Sequence, residues 1–312
     1  MYTVEQNIKN MKNIFGFLTG LLLVGSISAQ QIPLTSQYMF NNYLLNPAEA
    51  GTLDYISASL SARAQWTGLE GAPNTQFFSL QSKLGKKMGV GGYIYKDATG
   101  PISEQGIQLS YAYHLQVTDD AKLSFSVAAM LFSHDINRAV FRPEEGDDNA
   151  INSLKVSAVS PDINFGILYY TEKYRVGISA PQLLQNNIYA SITDTNNNNL
   201  ARHYYLYGEY KFDVNDKIAV VPSTLVKYVS GAPFQFDLSA RGIYDEKYWF
   251  GLSYRHSNAL VVLAGLNYKN LSFGYAYDYT LTDINSHSSG GHEIYLALRM
   301  YKKAPVASKK FD

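Results

Sequence analysis

The 312-residue chain carries 26 basic and 26 acidic side chains, 26 tyrosines, no cysteine and only 17% charged residues. Balanced charge excludes the positive field of a nucleic-acid binder. Zero cysteine excludes disulfide scaffolds and thiolate-ligated metal centres, and 14% aromatic residues exclude intrinsic disorder.

The only strongly apolar run comes first, from Ile14 to Ile27, preceded by Lys9 and Lys12 and followed by Ser26-Ile27-Ser28-Ala29. Charged, apolar and small-residue regions in that order predict a secretory signal over residues 1–29, with Met11 as an alternative start and Gln30 or Gln31 beginning the mature chain. An apolar core of about 14 residues is short for an uncleaved anchor. With only this one apolar run and a slightly negative mean hydropathy, a helical membrane protein is excluded. Residues 30–53 contain no clear strand, and Asn46-Pro47 favours a turn. Such a segment either plugs a lumen or forms a periplasmic lead-in.

From residue 54 to 302, alternation with period two recurs. Ile56, Ala58, Leu60, Ala62, Ala64 and Trp66 share one face; Ser57, Ser59, Ser61, Arg63 and Gln65 share the other. The same pattern marks residues 106–116, 122–131, 233–242, 271–280 and 292–301. Weaker strands are expected at 74–84, 88–96, 161–170, 174–180, 203–212, 217–228, 248–255 and 259–268. The total is about 14 strands of about 8–12 residues, the length that a tilted membrane strand needs. Links after even-numbered strands are short and polar, whereas 132–160, 181–202 and 281–291 are long and 67–73 and 97–105 moderate. Short turns at one end and longer loops at the other predict an all-β, up-and-down antiparallel barrel of the outer-membrane type, with a short tail over 303–312. A soluble sandwich or propeller is the alternative.

The tyrosines suit membrane interfaces and lumen walls, a carbohydrate-stacking surface being the other reading. Glycines at 89, 91 and 92 have no helix after them and so form no phosphate cradle; within a strand they permit curvature or close backbone approach. The acidic loop 144–149 lacks the ligand spacing of a calcium loop, and His287 and His292 sit in a polar loop without a metal motif. His134-Asp135 has no nucleophile elbow to serve. No catalytic residue, metal or cofactor is expected. Arg63, facing inward, requires an acceptor, and carbonyls of the N-terminal segment are one source.

Residues 37–101 carry Gln37-Tyr38, Asn46-Pro47-Ala48, Gly51, Arg63, Gln65-Trp66, Gly68, Gly71-Ala72-Pro73, Thr75, Asp97 and Gly100. In these the chain resembles the PorP/SprF family of type IX secretion membrane proteins, and weaker pieces extend the resemblance over nearly the whole mature chain. Glu49 departs from the pattern, occupying a slot where the family often has an aromatic or small residue. The resemblance implies a non-enzymatic, integral outer-membrane barrel in contact with lipid. It also implies a link to gliding motility, and binding to an exported adhesin, another secretion substrate or the secretion machinery. The family-motif residues Asn46, Pro47, Gly51, Arg63, Gln65, Trp66, Gly71, Pro73, Asp97 and Gly100 are then the candidate site. A passive porin or small-molecule transporter is the alternative function.

Overall fold

The computed structural model describes residues 32–33, 35–137, 155–186, 200–230 and 232–301. The expected signal (1–29), the acidic loop at 144–149 and the expected tail (303–312) lie outside them. The wall begins with β1 (Ile56–Ala64), β2 (Asn74–Leu84), β3 (Met88–Thr99), β4 (Ile102–Gln116) and β5 (Lys122–Asn137). It continues with β6 (Lys155–Tyr170), β7 (Tyr174–Ala180), β8 (His203–Tyr210, extended by Phe212–Asp213), β9 (Ile218–Val229) and β10 (Gln235–Tyr244). The last four are β11 (Tyr248–Arg255), β12 (Ala259–Tyr268), β13 (Leu271–Thr280) and β14 (Gly291–Met300). Every neighbour is antiparallel, and β14 returns to β1 with Ile56 opposite Met300 and Ala64 opposite His292, closing the barrel. Phe212–Asp213 pairs with β9 in the same register as β8, so it continues that strand across Lys211.

Polarity is inverted relative to a soluble protein. On β11, Leu252 is 54% exposed and Ser253 only 4%. The same alternation runs round the barrel, so apolar side chains form the lipid face and serines, glutamines and charges line the lumen. The tyrosines divide accordingly: Tyr93, Tyr95, Tyr205, Tyr207 and Tyr295 point inward, whereas Tyr111, Tyr204, Tyr254 and Tyr279 face out.

Three expected features change. Strands expected at 122–131 and 161–170 run on to 16 residues each, because Phe132 and His134 continue the inward face of β5 beyond its apolar outer stretch. The moderate link expected at 97–105 shrinks to Gly100-Pro101, where Gly100 takes φ +55. Trp66, placed on β1 by the alternation, lies in the following turn with φ 50.

Residues 35–53 lie inside the barrel as three one-turn helices, Tyr38–Phe40, Asn42–Leu44 and Pro47–Glu49. A buried segment without a ladder must find partners for its backbone. Here the turns bond internally, and the wall supplies the remainder. Ser179 Oγ donates to Leu45 O (2.6 Å), Ser124 Oγ to Ala48 O (2.8 Å) and Tyr295 OH to Phe40 O (3.2 Å), and His114 Nε2 meets Ala50 O at 2.9 Å. The inward serines of the alternation are therefore receptors for the plug backbone.

Close approach also fixes two wall glycines. A Cβ on Gly89 would stand 1.9 Å from Ala50 O, and one on Gly166 would stand 1.9 Å from Asn46 Oδ1. Gly89→Ala is expected to destabilise the protein by about 1–3 kcal/mol, since the obstacle is backbone that cannot rotate away. Gly242→Ala, whose Cβ would meet nothing closer than 3.9 Å, is the control. Thermal unfolding followed by gel mobility of heated and unheated protein checks both.

Candidate functional site

The plug divides the lumen into two vestibules. At the short-turn end, a cavity of about 250 Å³ is roofed by Phe40, Asn41, Glu49 and Thr52 and walled by Tyr55, Arg175, Arg241, Tyr295 and Arg299. At the long-loop end, a cavity of about 240 Å³ is lined by Ile32 and Pro33 together with Arg63, Trp66, Asp97, Lys227 and Arg255.

An ion network forms the floor of the long-loop vestibule. Arg63 Nη2 lies 2.6 Å from Asp278 Oδ2, and its Nε lies 3.9 Å from Glu293 Oε2. Arg255 bridges Asp237 (3.3 Å) and Asp278 (3.6 Å), and Lys227 reaches Asp237 at 3.7 Å. Three cations face three carboxylates, so the cluster is formally neutral. The plug docks into it: Ser36 N donates to Glu293 Oε2 (2.5 Å), Ser36 Oγ to Asp278 Oδ2 (2.7 Å), and Gln37 Nε2 to Glu293 O (3.1 Å). Amide and hydroxyl donors on carboxylates make charge-assisted bonds, stronger than the plug's neutral contacts. Among the described residues, the acceptors for Arg63 are thus carboxylates of β13 and β14.

A second latch lies near the short-turn end. Glu49 is buried, accepting from Tyr207 OH (2.7 Å) and pairing with Arg175 Nη1 (2.9 Å). Burial pushes its carboxyl above the ordinary range, partly offset by Arg175 and by the hydrogen bond from Tyr207. The carboxylate at this unusual slot has its compensation built into β7 and β8.

The motif residues separate into two groups. Asn46, Pro47 and Gly51 belong to the plug. Asn46 caps the turn, its Oδ1 accepting from Ala48 N (2.9 Å), while Nδ2 donates to Ile167 O (3.0 Å) and Ile178 O (3.2 Å). Pro47 starts that turn, and Gly51 takes φ +80 against Gly89. Arg63, Gln65, Trp66, Pro73 and Asp97 line the long-loop vestibule. Asp97 accepts from Thr75 Oγ1, and Gly71 O accepts from Gly100 N (2.8 Å), pinning the β1–β2 link to the β3–β4 turn. For Asp237, Arg255 and Glu293, which lie far along the chain, inward register was the only sequence signal; Lys227 and Asp278 also fall in the weaker pieces of the family resemblance.

His134 Nδ1 pairs with Glu104 (2.9 Å), and His292 Nδ1 with Tyr275 OH (2.6 Å). Among the described residues no cluster of three or more His, Asp or Glu side chains suits a metal ion.

The profile described as type IX secretion system membrane protein PorP/SprF matches residues 27–298. The chain belongs to the PorP/SprF family. Solved structures share the barrel. The toluene transporter TbuX of Ralstonia pickettii is 13% identical with a TM-score of 0.52, over 89% of this chain and 96% of its own. A FadL homologue of Pseudomonas aeruginosa is 12% identical with a TM-score of 0.49, over 86% and 95%. At such identities the likeness concerns the fold alone. No curated protein matches the chain. PorP/SprF membership and the closed barrel make this an integral outer-membrane protein of type IX secretion. Its short turns therefore face the periplasm, and its long loops face the outside.

Proposed function

We propose that this PorP/SprF barrel is a non-enzymatic binding component of type IX secretion. Its partner is an exported protein such as an adhesin, which it helps to secrete or to hold at the surface, or a component of the machinery that it attaches to the outer membrane. The observation that carries this reading is the plug, held at one end by Glu293 and Asp278 and at the other by Arg175 and Tyr207. A lumen blocked between two vestibules suits recognition at those vestibules better than diffusion of a solute. The motif residues serve this reading by positioning: Asn46, Pro47 and Gly51 shape the plug, and Arg63, Gln65, Trp66, Gly71, Pro73, Asp97 and Gly100 shape the outer vestibule and its rim. Residues 1–29 act as the export signal, and the apolar outer face contacts membrane lipid.

Deletion of the gene is expected to abolish surface display of one large exported protein while leaving outer-membrane permeability unchanged. Surface proteolysis and small-dye uptake measure the two. Normal display of every exported protein in the deletion strain overturns the reading. A transporter whose plug moves aside is the second reading, favoured by the cavities on both sides of the plug.

A further inference from the structure

The periplasmic vestibule carries a charge imbalance that the outer network lacks. Three guanidinium groups line it, Arg175, Arg241 and Arg299, against two carboxylates, Glu49 and Glu209. Both carboxylates are engaged by one arginine: Arg175 Nη1 lies 2.9 Å from Glu49 and its Nε 3.0 Å from Glu209. Three cations less two anions leaves a formal charge of +1: the Arg175 group with its two carboxylates is −1, and Arg241 and Arg299 supply +2. Among the described residues neither has a carboxylate within ion-pair distance.

Each is nonetheless held in place. Arg241, on β10, donates through Nη1 to Met39 O (3.1 Å) and lies 4.6 Å over the Phe40 ring, with a buried Nε that has no hydrogen-bond partner. Arg299, on β14, donates through Nη2 to Asn267 Oδ1 (2.6 Å) and Ser272 Oγ (2.8 Å), its guanidinium 5.9 Å from the Tyr55 ring. Neutral acceptors and aromatic faces fix both planes while leaving donors over. A guanidinium partly removed from bulk water and lacking a counter-ion is costly, and the planar group that relieves it best is a carboxylate, which takes two parallel N–H donors.

We propose that the inner vestibule is a receptor for a carboxylate on a protein chain entering from the periplasm. Arg241 and Arg299 contact the carboxylate, and the rings of Phe40, Tyr55 and Tyr295 take the apolar side chain next to it. The inference rests on the reading of this barrel as a binding component of secretion and names the chemistry of its partner. Entry is from the periplasm because the cavity lies at the short-turn end. At about 250 Å³ it is smaller than the roughly 300–1,000 Å³ pockets that enclose a drug-sized ligand, so it receives one or two side chains of an extended segment rather than a folded domain.

The test uses the purified full chain in detergent and two fluorescein-labelled hexapeptides. One ends in Phe-Glu with a free carboxylate, and the other ends in Phe-Gln amide. Anisotropy is expected to show the acidic peptide binding at least about tenfold tighter, with Arg241→Gln and Arg299→Gln each removing about tenfold or more. Arg241→Lys and Arg299→Lys are expected to restore part of the loss, and Lys96→Gln, on the exposed outer face, to change nothing. Heat-modifiable gel mobility verifies that each variant is folded. Equal affinity for the two peptides overturns the proposal, as does indifference to both Arg→Gln changes. Displacement of the peptide by inorganic phosphate at lower concentration than by acetate also overturns it, showing a phosphate site. If deletion of the gene abolishes display yet neither peptide binds, this inference fails and the secretion role stands. Normal display in the deletion strain removes the secretion role whatever the peptides do.

Discussion

Removing residues 35–53 while keeping the export signal and the wall is expected to convert a silent barrel into a conducting one. Eight strands enclose only enough space for their own side chains, whereas 16–18 leave an aqueous channel. Fourteen strands lie between, and here the extra width is taken by the plug. Its contacts are distributed: Asn41 Nδ2 reaches Ser59 (2.8 Å) and Ser79 (2.9 Å), Tyr43 OH meets Ser110 Oγ (2.7 Å), and Phe40 packs on Trp249 with ring centroids 3.9 Å apart. Without the plug those wall groups face only water, which serines and glutamines tolerate, so the barrel itself is expected to close and insert. Planar-bilayer recording of the full chain should give no steps, and the truncated chain should give discrete ones. Heat-modifiable mobility shows whether the truncated wall is folded. Steady conductance by the full chain removes the plugged-barrel basis of the binding reading and favours the transporter. A folded but silent truncated barrel shows instead that other residues close the lumen.

The wall was legible because a strand's period is two and the inversion of polarity is consistent along it. Leu60 and Ser61 on β1, or Leu238 and Ser239 on β10, announce their faces without help from other strands. Strand ends were less legible. On β5 the outward positions turn polar at Ser133 and Asp135 while the inward positions continue, so the apolar pattern fades before the strand does. The plug was the least legible part. Turns of three residues leave no periodicity, and several of the segment's anchors are groups more than a hundred residues away, such as Glu293 for Ser36 and Ser179 for Leu45. Two local signals did point to it. Asn46-Pro47 marked the capped turn, and the inward glycines of β3 marked where the plug comes close, its backbone at Gly89 and the Tyr43 ring at Gly91. Arg63 was recognised as an inward cation in need of acceptors. That the acceptors would be carboxylates on β13 and β14 depended on barrel closure, which sets Arg63 opposite Glu293, a pairing no local window contains.

Arg63→Met is expected to cost about 3–5 kcal/mol, the largest effect of any single change in the outer network. Removal of the guanidinium leaves Arg255 and Lys227 against Asp237, Asp278 and Glu293, so one buried negative charge is uncompensated. Glu293 is 1% exposed and Asp278 3%, which limits the water available to either. Both also hold the plug through Ser36, so the excess charge sits on its anchor. Charge balance, rather than any one contact, is the quantity at stake. The double variant Arg63→Met with Glu293→Gln restores two cations against two anions and keeps one side-chain acceptor for Ser36 N. It is expected to recover a large part of the loss, because a buried pair replaced as a whole is often near neutral where a broken one is not. Single and double variants compared by thermal unfolding give the coupling energy directly. Limited proteolysis within residues 35–53 reports whether the plug is released first. If the double variant is as unstable as the two single losses added together, Arg63 acts through packing along its stem and not through charge, and the network is a lining of the vestibule with no part in holding the plug.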